Sequence, residues 1–305
     1  EDDLRKGLSS IETYAKPERV FALNNCSVSL VGDDVQGIAD QMDLPWPVYA
    51  MDSGGMKGSF EAGYSAASLR IEKEMKTREK IPASVNVLGL STVHMKGRED
   101  AEEIRRLLSL CGIRVISMPG GGSNWEDIMD APSASLNIVV RDELGLSLAK
   151  QMERDFGTPY MSSGLPYGTD GTMAWLSGII EKLGAGELTR ASHEAAKLKE
   201  FLLRKGNNLE SLWGPLWFDA VLISAPPSEA LGIAEAIRSE WIDTARLCIH
   251  AQCETKKSTP AADAIRVVMK NEKEIAKDYE DWQGGLVLSS SHETHLLRRM
   301  GRSFT

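Results

Sequence analysis

Cysteine is scarce in this chain: four in 305 residues, Cys26, Cys111, Cys248 and Cys253. They are too few and too scattered for a disulfide framework, which points to a reducing, cytoplasmic setting. Long hydrophobic runs are missing too. No apolar stretch reaches about 18 residues, so no membrane span is expected. Positive charge is in deficit, with 35 Lys and Arg against 44 Asp and Glu and a net charge of −9. A nucleic-acid binder normally shows a basic face, so nucleic acid is not expected as a partner. There is no repeat of solenoid period and no low-complexity tract. No signal peptide is visible, although the chain opens at Glu1 without methionine.

What is present is ordinary globular material, 42% hydrophobic and 26% charged. The length allows two or three α/β domains. Apolar runs rich in β-branched residues, such as Val85-Asn86-Val87-Leu88 and Leu136-Asn137-Ile138-Val139-Val140, alternate with helical windows. From Glu99 to Leu110, Ile104, Leu107 and Leu108 fall on one face, with Cys111 at its end. A second window runs from Leu144 to Phe156. Such alternation implies parallel sheets with helices on both faces. The expected fold is α/β, with two to three doubly wound, Rossmann-like domains around a central cleft. The boundaries read as 1–78, 79–188, a linker helix over 189–212, and 213–305. In the last part, the pattern predicts strands Phe218–Ile223, Ala245–His250 and Gly285–Leu288. It predicts helices Glu229–Trp241 and Ala261–Glu280.

The most informative stretch is Asn24-Asn25-Cys26-Ser27-Val28-Ser29-Leu30-Val31-Gly32-Asp33-Asp34-Val35. It follows an apolar strand candidate, Val20–Leu23, and precedes a helix candidate near Val35. A cysteine there sits on the rim of an open sheet, where ligands bind. Gly32 allows a tight turn, and Asp33 and Asp34 favour a helix start. A lone buried cysteine is the plain alternative.

The words along the chain resemble the nitrogenase component 1 superfamily. The Cys26 stretch resembles its segment carrying one cluster-binding cysteine. Asp52-Ser53-Gly54-Gly55-Met56-Lys57-Gly58 resembles its next glycine loop, and Ser84–Gly89 the strand opening its second domain. Cys111–Val115, Pro119-Gly120-Gly121-Gly122-Ser123, Ala134–Val139, Phe156–Tyr160 and Ser289–Glu293 follow in family order. The superfamily includes nitrogenase molybdenum–iron protein subunits, cofactor-assembly homologues, dark-operative protochlorophyllide reductases and reductases of nickel-tetrapyrrole assembly.

The resemblance implies a subunit of a two-component reductase. Cys26 would ligate an iron–sulfur cluster, 4Fe–4S or larger. Such clusters need about four cysteines, so the cluster would be shared with a homologous subunit in a dimer or tetramer. A separate ATP-dependent iron–sulfur protein would supply electrons. A metallocluster or a tetrapyrrole is a further implied cofactor. The resemblance also implies that the chain lacks segments at both ends. Where nitrogenase catalytic subunits carry the cysteine anchoring their large cofactor, this sequence has Arg141. Arginine cannot ligate iron but suits a carboxylate or phosphate. That substitution argues against a nitrogenase cofactor and fits an anionic substrate such as a tetrapyrrole with propionate arms. A surface pair with Asp142 or Glu143 accounts for Arg141 equally well. The implied cofactor-binding set is Cys26, Gly54, Gly55, Gly58, Gly121, Gly122 and Arg141, with Cys26 the metal ligand.

The glycine loops at 53–58, 119–124 and 162–164 follow strands, where amides without side chains can approach an anion. None matches Walker A or G-x-G-x-x-G, so no direct nucleotide site is expected. Cys248-Ile249-His250-Ala251-Gln252-Cys253 is not a zinc spacing; it places Cys248 and His250 on one strand face and Cys248 in the core. His292-Glu293-Thr294-His295 is one residue short of H-E-x-x-H and reads as a helix start. His94 reads as a solvated loop residue, with a cleft residue as the alternative, and His193 as surface. Trp213, Trp217 and Trp282 read as packing or interface aromatics, with the lining of a tetrapyrrole pocket as the alternative. Two further functions stay open: a carrier or assembly scaffold for a cluster or tetrapyrrole, and a cluster-free α/β small-molecule binding protein.

Overall fold

In a computed structural model, the residues described are 1–56, 58–214, 217–253, 257–267, 272–280, 282 and 285–301. The chain divides into two compact units, Glu1–Glu74 and Met75–Thr305.

Unit 1 holds a parallel pair, β1 (Val20–Leu23) and β2 (Val48–Met51), in register Val20↔Val48 to Leu23↔Met51. Its helices are α1 (Asp2–Ser10), α2 (Cys26–Val31), α3 (Val35–Asp40) and α4 (Phe60–Glu72). Leu8, Ala39, Trp46 and Val48 form its core. The helix expected near Val35 is there, started by the Asp34 side chain, which accepts from the Gly37 amide at 2.8 Å. The short α2 before it was not expected. Asn25 caps α2 by accepting from the Val28 amide at 3.0 Å. Gly32, at φ +78°, ends it in the left-handed region.

Unit 2 carries two four-stranded parallel sheets. The first runs β4-β3-β5-β6, with β3 Ile81–Leu88, β4 Arg114–Ser117, β5 Ala134–Val139 and β6 Tyr160–Ser162. Around it lie α5 (Gly97–Leu110), α6 (Trp125–Met129), α7 (Asp142–Phe156) and α8 (Thr169–Leu183). One face packs Val85, Val87, Leu136 and Ile138 on Ile104 and Leu108 of α5 and on Trp175, Leu176 and Ile179 of α8. α7 packs against β3 and β5. The linker helix, α9, runs Thr189–Trp213.

The second sheet runs β10-β7-β8-β9, with β7 Trp217–Ala225, β8 Asp243–Ala251, β9 Ala264–Val267 and β10 Leu286–Leu288. One face meets α10 (Pro227–Ala236) through Val221, Ile223, Leu247 and Ile249. The other meets α11 (Glu272–Glu280) and α12 (Ser291–Arg299) through Leu222, with Ile275, Tyr279, Leu296 and Leu297. Helices on both faces make the sheet doubly wound, as expected.

The expected helix Ala261–Glu280 is a correction. Among the described residues there, Glu272–Glu280 is helical and Ala264–Val267 is the edge strand β9, paired Cys248↔Ala264 to Ala251↔Val267. Residues 268–271 lie outside those described. Pairing with β8 supplies backbone partners that outweigh the helical preference of the alanines. α12 begins with a full capping box, Ser290 with Glu293, which matches the helix start read at that point.

Candidate functional site

Two places carry grouped polar chemistry at strand carboxyl ends, one in each unit. In unit 1, the segments leaving β1 and β2 are laced together. The Ser53 hydroxyl donates to the Asn24 carbonyl at 2.5 Å, and Ser29 donates to Asp52 Oδ1 at 2.7 Å. Cys26, first residue of α2, is exposed. Its Sγ accepts the Gly55 amide at 3.2 Å.

Gly54 is tied to this arrangement. A Cβ there would lie 2.8 Å from Ser29 Cβ and 3.5 Å from the Cys26 Cα. A Cβ on Gly55 would stand 3.7 Å from the sulfur, an ordinary contact. Gly58 would bring a Cβ within 2.7 Å of Ala62 at the start of α4, a packing reason for glycine. Lys57 lies outside the described residues. Leu23, Leu30, Val31 and Met56 are all exposed in this unit. So the cysteine is not buried among apolar side chains, and exposed apolar residues accompany it. The residue sequence reasoning missed is Ser29, which reaches Asp52; its only sequence signal is its place one turn after Cys26.

In unit 2, the carboxyl ends of β3 and β5 mark the point where the chain reverses direction across the first sheet, the usual ligand crevice of such sheets. Arg141 lies there, 2% exposed. Its Nε and Nη2 both donate to Glu229 Oε1 at 2.8 Å, and Nη1 donates to the Gly89 carbonyl at 3.3 Å. The surface pair with Asp142 or Glu143 is thereby corrected: the partner comes from the first turn of α10, the helix packed on the second sheet. His94 Nδ1 lies 4.0 Å from the same Glu229 oxygen, which brings this loop histidine to the crevice.

Ser228 joins the same elements. It accepts the Asp142 amide at 3.1 Å and donates to Glu143 Oε2 at 2.6 Å. Asp142 also meets Lys257, Nζ to Oδ2, at 2.7 Å, and accepts from the Ser162 hydroxyl. Farther along, Glu240 lies in the π turn Ile237–Trp241 that ends α10. It accepts from Thr169 N at 2.7 Å, Thr169 Oγ1 at 2.6 Å, Asp170 N at 2.8 Å and Gly171 N at 3.1 Å. These are the first amides of α8, which have no partner inside their own helix. Ser228, Glu229 and Glu240 escaped sequence reasoning. The available signal was Pro226-Pro227 followed by a serine and an acid, a helix start placed at a strand end.

Burial raises the carboxyl pKa of Glu143 and of Asp100, Arg141 opposing it in both, and burial also raises the Tyr167 phenol. For an acid whose folded pKa lies above its unfolded one, the stabilisation is full below the unfolded value. It is lost as pH rises through the folded value. Stability is therefore expected to fall from about pH 4 upward across that window. Glu143→Gln and Asp100→Asn should each flatten the slope in urea unfolding measured at stepped pH. Unchanged slopes in both variants would contradict it.

The remaining candidates disperse. Gly121 is buried against Leu90 and Met118 beyond β4, and Gly122 turns at φ +98°. Gly120 accepts the Thr92 amide at 2.9 Å, which ties this loop to the one after β3. Cys111 is buried. Cys248 is half-buried on the face of β8 that meets Leu222, with its thiol pKa raised by burial. His250 shares that face and stacks toward Tyr279, ring centroids 6.1 Å apart. Cys253 is half-buried beyond β8. His193 is exposed on α9. Trp217 is exposed, Trp282 lies under Arg246 at 4.9 Å, and the Trp213 side chain lies outside those described. Among the described residues, no group of three His, Cys, Asp or Glu is placed to hold a metal ion. No helix among them is long and apolar enough to cross a membrane.

The family profile "Nitrogenase component 1 type Oxidoreductase" matches residues 1–305. The chain belongs to that family. It is 30% identical over 215 residues to the nitrogenase iron-molybdenum cofactor biosynthesis protein NifE of Clostridium pasteurianum, covering 69% of this chain and 45% of that one. It is 29% identical over 187 residues to a light-independent protochlorophyllide reductase subunit of Pelodictyon phaeoclathratiforme, 60% of this chain and 35% of that one. The corresponding reductase subunit of Chlorobium phaeobacteroides is 23% identical over 98% of this chain and 60% of its own. The chain thus spans between about a third and three-fifths of these relatives. A solved structure, "Nitrogenase Cp1 at pH 5", superposes with a TM-score of 0.65 at 18% identity, covering 97% of this chain and 63% of its own. This nitrogenase component 1-type chain therefore has the family's Rossmann-like α/β fold.

Proposed function

We propose that the chain is a cytoplasmic subunit of a nitrogenase-like reductase that shares an iron–sulfur cluster with a homologous subunit through Cys26. The observation that carries this is the Cys26 sulfur, exposed and approached by the Gly55 amide at 3.2 Å. Cysteine sulfur is the usual protein ligand of such clusters, and an exposed one is open to a cluster. Gly54 keeps the space beside Ser29 and Cys26 clear of a side chain. One cysteine is only part of a ligand set, so the others belong to residues beyond those described or to the second subunit. The exposed Leu23, Leu30, Val31 and Met56 suit burial against such a subunit.

When bound, such a cluster supplies one-electron transfer. The residues of this chain do the rest: Cys26 ligates, Gly55 donates to its sulfur, and the crevice of unit 2 holds the molecule to be reduced. Electrons come from a separate ATP-dependent iron–sulfur protein. A second reading, a cofactor carrier or assembly scaffold, is favoured by the 30% likeness to a cofactor biosynthesis protein. Both readings place iron at Cys26.

The test is iron and acid-labile sulfide per chain, in protein purified without oxygen, beside Cys26→Ala. Both are expected in the parent protein and lost in the variant. Equal iron in the two, or none in either, would sink the proposal. Turnover with the electron-donor protein then separates reductase from scaffold.

A further inference from the structure

Two carboxylates on one stretch of chain tie α10 to the first sheet of unit 2, and they are held in different ways. Glu240 uses both oxygens on four donors, and none of the four is a cation. Gly168 fits beneath it: a Cβ there would come within 2.3 Å of Glu240 Oε1. Glu229 uses one oxygen, Oε1, on one cation, Arg141. Arg141 is almost wholly buried, whereas the Glu229 side chain is 22% exposed. Solvent therefore reaches the anion more readily than the cation.

A buried guanidinium stripped of its counter-ion is costly, so Glu229 can leave only in exchange for another anion. The neighbouring acids are poor substitutes. Burial pushes Glu143 and Asp100 toward their neutral forms, and Asp142 is engaged with Lys257. His94 adds further positive charge to this rim when protonated.

We propose that Arg141 anchors a carboxylate of the ligand held in this crevice, with Glu229 as its displaceable stand-in and Glu240 as the fixed pin on which α10 yields. The proposal rests on reading the crevice as the ligand-holding part of the protein. It does not depend on the cluster, so a failed iron measurement at Cys26 leaves it standing.

Four backbone amides report on the two ends separately. The Asp142 amide, first in α7, has Ser228 Oγ of α10 as its acceptor. Those of Thr169, Asp170 and Gly171 have Glu240. All four lie in first turns, where the helix itself supplies no acceptor, so their protection depends on these contacts. The experiment is amide hydrogen exchange by NMR on the full chain, titrated with citrate and, separately, with sodium chloride at matched ionic strength.

Citrate should speed exchange at Asp142 about tenfold while Thr169, Asp170 and Gly171 stay unchanged. Sodium chloride should leave all four amides unchanged. Glu229→Gln should reproduce the Asp142 change without citrate, and Arg141→Gln should abolish the response to citrate. Glu240→Gln should speed the other three amides alone. Equal effects of the two salts would reduce the pair to an ordinary screened ion pair and overturn the proposal. So would no response at Asp142, or all four amides rising together.

Discussion

Glu229→Ala should destabilise unit 2 by about 3 kcal/mol, the low end of what breaking a buried ion pair costs. The low end applies because Glu229 is itself partly exposed while Arg141 is not. The loss comes less from the missing attraction than from what remains: a guanidinium with the Gly89 carbonyl at 3.3 Å as its other acceptor. Joint replacement of both partners by methionine should recover most of the loss, since no charge is then left buried. Urea unfolding of the two single variants and the double variant would measure this. If Glu229→Ala costs under about 1 kcal/mol, the pair behaves as a solvated surface bridge and the argument fails.

Gly89→Ala should be as damaging, for a steric reason. Gly89 sits at φ +92°, and a Cβ there would lie 2.6 Å from the Arg141 carbonyl oxygen and 2.9 Å from its nitrogen. Backbone cannot swing aside as a side chain can, so the strain of a left-handed alanine adds to overpacking. The two together come to roughly 3 kcal/mol. Gly145→Ala, one turn into α7, is the sharper test because its sign is unusual. In an exposed helix this change stabilises by up to about 1 kcal/mol. Here the Cβ would meet the Leu88 carbonyl carbon at 2.8 Å and the Gly89 nitrogen at 2.9 Å. Thermal unfolding should therefore show a lower midpoint for both variants. A raised midpoint for Gly145→Ala would mean that the crossing of β3 and α7 is looser than its geometry indicates.

Much of the fold is legible in the sequence where a segment settles its own state. The window Leu144–Phe156 needs only its apolar spacing, and the helix found, Asp142–Phe156, differs at one end. The Cys26 motif is legible as a rim feature because strand, polar turn and glycine are contiguous. Reading fails where the outcome is set from a distance. Ala264–Val267 becomes a strand because β8 presents an open edge to it. Helix α2 is too short for a periodic signal, and its cap, Asn25, reads equally as a loop residue. Arg141 was singled out for its chemistry, but its partner lies 88 residues away, and no local pattern links the two.

That separation has a meaning in time. Synthesis proceeds at about 5–20 residues per second, so roughly 4 to 18 s pass between the making of Arg141 and of Glu229. The strands β3 to β6 are all made within that interval or before it, and Ser228 and Glu240 arrive on the same late stretch. For those seconds Arg141 has no Glu229 to pair with, and the first amides of α8 have no Glu240. The synthesis of α10 is what brings the Arg141 counter-ion and the α8 cap into existence, both on one stretch.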